Sequence, residues 1–292
     1  MNAMKLAVPL FVALAFGPSQ GLATPILGAD LASFAVLGAA GVTNVPVSTI
    51  GGNLGSSPNP SVGGGYIFTS GSLQQNTSLA QSAQLELDAA ILAVNAMGPG
   101  LTIGSDLTGT ILPGVYTVPA ASTNLSGALI LDGGGSNSAV WAFLFPSTLI
   151  TSTTSTVSLI NVGDGANVGL YWSVGTAATL NGPTFAGNVL AHDLISSDGD
   201  LTIACGRLLS AETQVTLIHD NISIGCVGTG VGTEVETSGG FAQHVIPTSG
   251  SVLPGGSQGQ VVNGVPEPAT LLLFGFGLTW LFAFRKKFFP VA

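Results

Sequence analysis

Charge is what this sequence has least of. Asp, Glu, Lys and Arg make up 7% of its 292 residues, against roughly a quarter in an ordinary soluble domain. That scarcity excludes a charged helical bundle, a coiled coil and a solvated acidic tail. Positive charge is scarcer still. Four of the five basic residues stand at the ends: Lys5, Arg285, Lys286 and Lys287. Residues 24–264 therefore hold thirteen acids and a single base, Arg207. One cation cannot neutralise a phosphate backbone, so nucleic acid is excluded as a partner, and anionic lipid fits no better. There is no Ser-His-Asp signature, no Gly-rich phosphate loop and no His/Cys spacing that suits zinc. No cofactor and no metal are expected. The nearest thing to a reactive cluster is His192-Asp193 with Asp198 and Asp200, which reads as a polar corner. A polysaccharide lyase, which also uses solenoid folds, would need a Lys or Arg beside it, and only Arg207 is available. An enzyme is not expected.

What is present in excess is glycine, 42 residues, in a chain that is 46% hydrophobic. That is enough apolar material for one large folded domain. Met1–Ala23 has Lys5, an apolar run Leu6–Phe16 and a small-residue close, Gly21-Leu22-Ala23. This is the architecture of a secretory signal peptide, cut before Thr24 by signal peptidase. Residues 227–264, rich in Gly, Ser and Thr and without periodicity, read as a linker. At the other end, Pro266-Glu267-Pro268 precedes an apolar run, Ala269–Phe284, and the basic stop Arg285-Lys286-Lys287. As a helix the run rises only about 24 Å, a marginal transmembrane segment.

Between these ends the pattern is β with one helix. Leu79, Ala83, Leu87, Ala90, Ile91, Val94 and Met97 follow a 3.6-residue spacing. Ser78 with Gln81 forms a capping box and Gly98-Pro99 a stop, so the spacing predicts a helix over 78–97, with Glu86 and Asp88 on its solvent face. A lone amphipathic helix in a β-rich chain must pack on a sheet. After Gly100 two strand columns repeat. The first runs Val140–Phe145, Val168–Val174, Phe185–Ala191 and Cys205–Ser210. The second runs Thr148–Thr151, Thr176–Thr179, Asp193–Ser196 and Thr213–Thr216, at offsets of 28, 17 and 20 residues. The long offset is accounted for by the polar turn Asn161–Asn167. Helix-free repeats of about 20 residues fit the turns of a β-solenoid. In the second column Ile150, Ala178, Ile195 and Val215 are all apolar and point inward. By alternation the next residues, Thr151, Thr179, Ser196 and Thr216, point outward. The first position, Thr148, Thr176, Asp193 and Thr213, shares the inward parity and sits at a corner or faces in.

Two resemblances sharpen this reading. The ordered tail of Pro-Glu-Pro, short apolar helix and basic cluster resembles the PEP-CTERM sorting domain. That implies a Gram-negative, exopolysaccharide-producing bacterium whose exosortase processes the tail near Pro266–Pro268. The protein would pass through a transient inner-membrane anchor to the cell surface or matrix. The segments Leu31–Leu37, Gly51–Pro58, Leu112–Tyr116, Gly206–Ser210 and Val215-Thr216-Leu217 with Asn221 resemble the ice-binding proteins of bacteria, fungi and algae. The resemblance spans about residues 27–224. It implies a right-handed, discontinuous β-solenoid of triangular section over 24–226, with a long helix alongside and N-terminal coils inserted out of sequence order. The family's ice-binding face is a flat strand array with T-A/G-x-T/N motifs. Thr176-Ala177-Ala178-Thr179 matches; the Thr148–Thr151 and Thr213–Thr216 segments match at the Thr positions, and Asp193–Ser196 fails at the first.

The resemblance makes Thr148, Thr151, Thr176, Thr179, Ser196, Thr213 and Thr216 the candidate ice-binding residues. Ordinary exposed strand threonine gives the same pattern. Three readings follow: an ice-binding protein that shapes ice or slows its growth, an extracellular-matrix or adhesion protein of the same fold, and a carbohydrate-active enzyme. Cys205 and Cys226, 21 residues apart in a secreted chain, are expected to form a disulfide that pins the last coil; two free thiols or metal ligands are the alternative.

Overall fold

The computed structural model describes residues 26–163 and 167–225. The signal sequence, Cys226, the linker and the apolar run 269–284 lie outside the described residues. Among the described residues no helix is long and apolar enough to cross a membrane. All strand pairings among the described residues are parallel, in one sheet of 15 strands and one of five.

The sheets wrap into three faces. Along the first, the strands Leu101–Thr102, Gly114–Thr117, Val140–Phe145, Gly169–Val174, Thr184–Ala191, Thr202–Ser210, Phe34–Gly38, Asn53–Ser56 and Leu73–Gln75 lie side by side. The order breaks sequence: Val36 of the N-terminal coil pairs with Leu208 of the last coil. This is the discontinuous solenoid that the family resemblance implies. The second face is the five-stranded sheet, ordered Leu149–Ile150, Ala178–Leu180, Ile195–Ser197, Gln214–Ile218 and Gly41–Val45. The third runs Gly109–Ile111, Ala128–Asp132, Thr156–Ile160, the starts of Thr184–Ala191 and Thr202–Ser210, then Asn221–Ser223, Ser48–Gly51 and Tyr66–Ser70.

Alternation decides what fills the interior. Inward residues from all three faces, such as Val36, Val215 and Ile222, form one continuous core. Through it runs a ladder of rings: Tyr116 on Phe143 at 5.6 Å, Phe143 on Trp172 at 4.5 Å, and Trp172 on Phe185 at 4.8 Å. Register sets Tyr116 beside Phe143 and Phe143 beside Trp172, so those rings stack, whereas Phe185 comes from the third face and meets Trp172 at a tilt of 44°. The long strand Thr184–Ala191 bends from the third face to the first at Gly187. There φ is +91° and an added Cβ would strike Leu170 and Trp172.

Helix α1 is a single turn, Ala29–Ala32, and α2 spans Ser78–Asn95. Helix α2 lies on the first face. Its Ala80, Ala83, Leu87, Ala90 and Val94 are buried against the outward side chains Leu37, Leu190, Leu209, Tyr171 and Ala142. The predicted apolar stripe is therefore the packed one, and three alanines let the helix axis approach closely. Its cap differs from the expectation. The N-cap is Thr77, whose Oγ1 accepts from the Ala80 N–H, not Ser78. Threonine can adopt the extended Ncap backbone while its hydroxyl reaches N3. Glu86 is not on the solvent face either: its Oε2 accepts from the Leu31 N–H at 2.7 Å, tying α1 to α2. A carboxylate satisfies an orphan amide of that first turn better than water does.

Arg207, the one interior base, is fully buried. It donates to the Ala32 carbonyl and, at 2.8 Å, to Asn188 Oδ1, so it clamps the inserted N-terminal segment to the last coils. Burial pushes its pKa down to about 9, so it stays protonated at neutral pH. This burial removes the cation that a lyase chemistry would require.

Candidate functional site

The first face is covered by α2, which leaves two open. The five-stranded face holds the residues singled out in the sequence. Its register pairs Thr43 with Thr216, Ser196 with both Thr216 and Thr179, and Thr179 with Ile150. Their neighbours Val42, Val215, Ile195, Ala178 and Leu149 are fully buried. The outward column is therefore Thr43, Thr216, Ser196, Thr179 and Ile150. Hydroxyls touch along it: Thr43 Oγ1 donates to Thr216 Oγ1 at 3.1 Å, and Ser196 Oγ to Thr179 Oγ1 at 3.5 Å. Adjacent strands put these groups about 4.8 Å apart.

Thr151 is not in that column. The first strand is set one residue from the expected register, with Leu149, not Ile150, opposite Ala178. Thr151 is 1% exposed, and its Oγ1 accepts from the Asn181 N–H at 2.8 Å and the Gly182 N–H at 3.4 Å. Leu149 fills the core where Ile150 was expected, and the inward hydroxyl of Thr151 satisfies two corner amides that would otherwise be orphaned. The corner positions are also settled. The Oγ1 atoms of Thr176 and Thr213 are buried and have no hydrogen-bond partner. They belong to the bend between the first and second faces and offer no hydroxyl to an outside surface. Thr148 precedes its strand and is half-buried.

Thr43 was not anticipated. It reaches the column only because the N-terminal coil is inserted beside the last one, 173 residues away in sequence. Nothing local in Gly41–Val45 announces that pairing.

The flanking residues are mixed. Ala177, Leu194 and Gln214 lie two positions before the column, and Asn181, Asp198 and Ile218 two positions after it. At the corner, His192 Nδ1 meets Asp193 Oδ1 at 3.1 Å and Nε2 stands 3.8 Å from Glu212 Oε1, all well exposed. Asp198 and Asp200 do not join them. Among the described residues no group of three or more His, Cys, Asp or Glu is placed to hold a metal ion. The outward column Thr43, Thr216, Ser196, Thr179 and Ile150 holds no titratable side chain. It offers a flat array of hydroxyls and methyls. Cys205 is fully buried and disulfide-bonded; its expected partner Cys226 lies outside the described residues.

A discontinuous parallel solenoid with a helix against one face and a neutral hydroxyl column on another defines the class, a helix-flanked β-solenoid. Comparison with known proteins gives the family. Residues 36–223 match the ice-binding-like family, and residues 264–287 match the PEP-CTERM protein-sorting motif. The chain belongs to the ice-binding-like family. It is 33% identical over 268 residues to an ice-binding protein of Nostoc sp. (strain HG1), covering 88% of this chain and 85% of that one. Among solved structures it is similar to the ice-binding protein of the Antarctic ascomycete Antarctomyces psychrotrophicus, with 31% identity, TM-score 0.58, and coverage of 67% and 96%. It is also similar to an ice-binding protein from an Antarctic biological consortium, with 28% identity, TM-score 0.61, and coverage of 75% and 96%. The sorting motif marks the chain for secretion to the cell surface of a Gram-negative bacterium.

Proposed function

We propose that the domain adsorbs to ice through the five-stranded face, shaping crystals and slowing their growth. One observation carries this reading: Thr43, Thr216, Ser196 and Thr179 stand in register on four consecutive parallel strands, with inward apolar partners that hold the face flat. Ice offers only water to bind. Affinity must then come from many weak contacts repeated at a fixed spacing, and a rigid strand lattice supplies that spacing. Thr151, Thr176 and Thr213 are positioned to support the face from within, and Ile150 to add a methyl at its end.

The same reading covers the rest of the chain. Cys205 pairs with Cys226 and pins the last coil. An exosortase removes the tail near Pro266–Pro268 after a transient stay of the apolar run in the inner membrane. The protein is then delivered to the surface or the exopolysaccharide matrix.

The test is ice-crystal morphology and thermal hysteresis of the purified protein beside Thr179→Tyr. A bulky ring in the centre of the column holds the whole plane away from ice, so shaping should vanish while the thermal melt stays unchanged. A wild type that leaves ice crystals unshaped would overturn the reading and leave a surface or matrix protein of the same fold. The uneven flank of Leu194, Gln214 and Asp198 is the feature that would favour that outcome.

A further inference from the structure

The third face carries a column of five polar residues, against four on the second. Register places Thr156, Thr184, Thr202, Asn221 and Thr49 opposite one another on five consecutive strands. Each is followed by an inward apolar residue: Val157, Phe185, Ile203, Ile222 and Ile50 are at most 5% exposed. The five polar side chains therefore point outward, and Thr184 and Asn221 are exposed. Four inter-strand steps of about 4.8 Å make a column of about 19 Å. Two residues further along, Ser158, Ala204 and Ser223 present a second row of small, partly or fully exposed side chains. Neither row holds a charged residue.

The hydroxyls of this column are also uncommitted. Three threonine hydroxyls elsewhere in the fold are used internally: Thr151 by corner amides, Thr77 by α2, Thr117 by the Pro99 carbonyl. Thr49, Thr156, Thr184 and Thr202 form no side-chain hydrogen bond among the described residues. A neutral lattice without aromatic platforms or carboxylates is poorly equipped to grip a sugar chain. Its large exposed apolar side chains, Ile160 at the end of one strand and Ile67 on the strand beyond Thr49, stand at opposite ends of the column, so they form no clustered anchor for a protein partner. What it matches is a repeating, uncharged hydrogen-bonding surface.

We propose that this third face is a second ice-adsorbing surface, turned from the first about the corner formed by Asp200 and His219. The inference rests on the ice-binding reading of the five-stranded face. Two differently oriented lattices would let one molecule engage two families of ice planes. The experiment grows a hemispherical single crystal of ice in a solution of fluorescently labelled protein and compares wild type, Thr179→Tyr, Thr202→Tyr and the double variant, each with a thermal melt. The wild type should label two sets of planes. Thr202→Tyr should lose one set, Thr179→Tyr the other, and the double variant both. Asn221→Tyr, exposed on the adjacent strand, repeats the test should Thr202→Tyr melt early.

Labelling by Thr202→Tyr and Asn221→Tyr that is identical to wild type would overturn the second face and leave the first intact. So would loss of every plane in Thr179→Tyr alone. Loss of every plane in Thr202→Tyr with none lost in Thr179→Tyr would support the third face and overturn the five-stranded one. No labelling by the wild type would overturn both.

Discussion

Replacing Thr151 by Val removes one hydroxyl and keeps the shape. Its consequence depends entirely on which way the residue points. In the structure Thr151 Oγ1 accepts from the Asn181 N–H at 2.8 Å and, less closely, from the Gly182 N–H at 3.4 Å, in a buried corner. Valine leaves the first amide without a partner, at a cost of about 1–3 kcal/mol. The second contact is long enough to add little, and the extra buried methyl returns part of the loss. The net is about 2 kcal/mol. For a domain of this size that lowers Tm by about 4–8 °C. Ice shaping should persist, because the outward array is untouched. Thr179→Val is the mirror case. It sits half-exposed on the surface, so its stability should change by less than about 0.5 kcal/mol. It deletes a central hydroxyl and should weaken thermal hysteresis. The assay is calorimetric melting of both variants beside thermal hysteresis. A Thr151→Val protein with wild-type Tm and lost ice activity would refute the register and restore Thr151 to the outer face.

Three further outcomes follow from the same structure. Trp172→Ala opens a cavity between Phe143 and Phe185 and orphans the Ala186 carbonyl that Trp172 Nε1 now satisfies at 2.9 Å, so chemical denaturation should show a loss of about 3–5 kcal/mol. Asp220 is buried at the corner, where its carboxylate accepts from the Leu201 and Ile218 N–H groups and from Ser197 Oγ; burial raises its pKa above the ordinary carboxylate value. Because the folded pKa is the higher one, its contribution is fully present below the unfolded pKa and is lost as pH rises through the folded pKa. Asp220→Asn should flatten that part of the stability–pH curve, and an unchanged curve would contradict the assignment. Thiol labelling of the denatured, unreduced secreted protein should find no free cysteine, and reduction should cost about 3 kcal/mol of stability by releasing the Cys205–Cys226 loop; two reactive thiols would contradict the pairing.

Local pattern made some of this fold legible and hid the rest. The helix and the strands Val140–Phe145 and Gly169–Val174 were readable because alanine, leucine and aromatic residues recur at the period of their element. The strand Leu149–Ile150 was not, because two adjacent apolar residues carry no alternation, and a one-residue slip exchanges the faces. That slip moved Thr151 to the wrong side. The third face has its own signal in the sequence: Thr156-Val157, Thr184-Phe185, Thr202-Ile203, Asn221-Ile222 and Thr49-Ile50 repeat one polar–apolar step, coil after coil. Thr43 and Thr49 could not have been ranked from their own surroundings. Their place depends on a coil inserted beside one formed more than 150 residues later.

The most direct measurement of the central claim is partition between ice and liquid. A dilute solution of the labelled protein is frozen slowly onto a cold finger, and the label is measured in the ice and in the remaining liquid. Adsorption through a flat lattice predicts enrichment in the ice for the wild type and exclusion into the liquid for Thr179→Tyr combined with Thr202→Tyr. Exclusion of the wild type to the same extent as an ordinary solute protein would contradict the account.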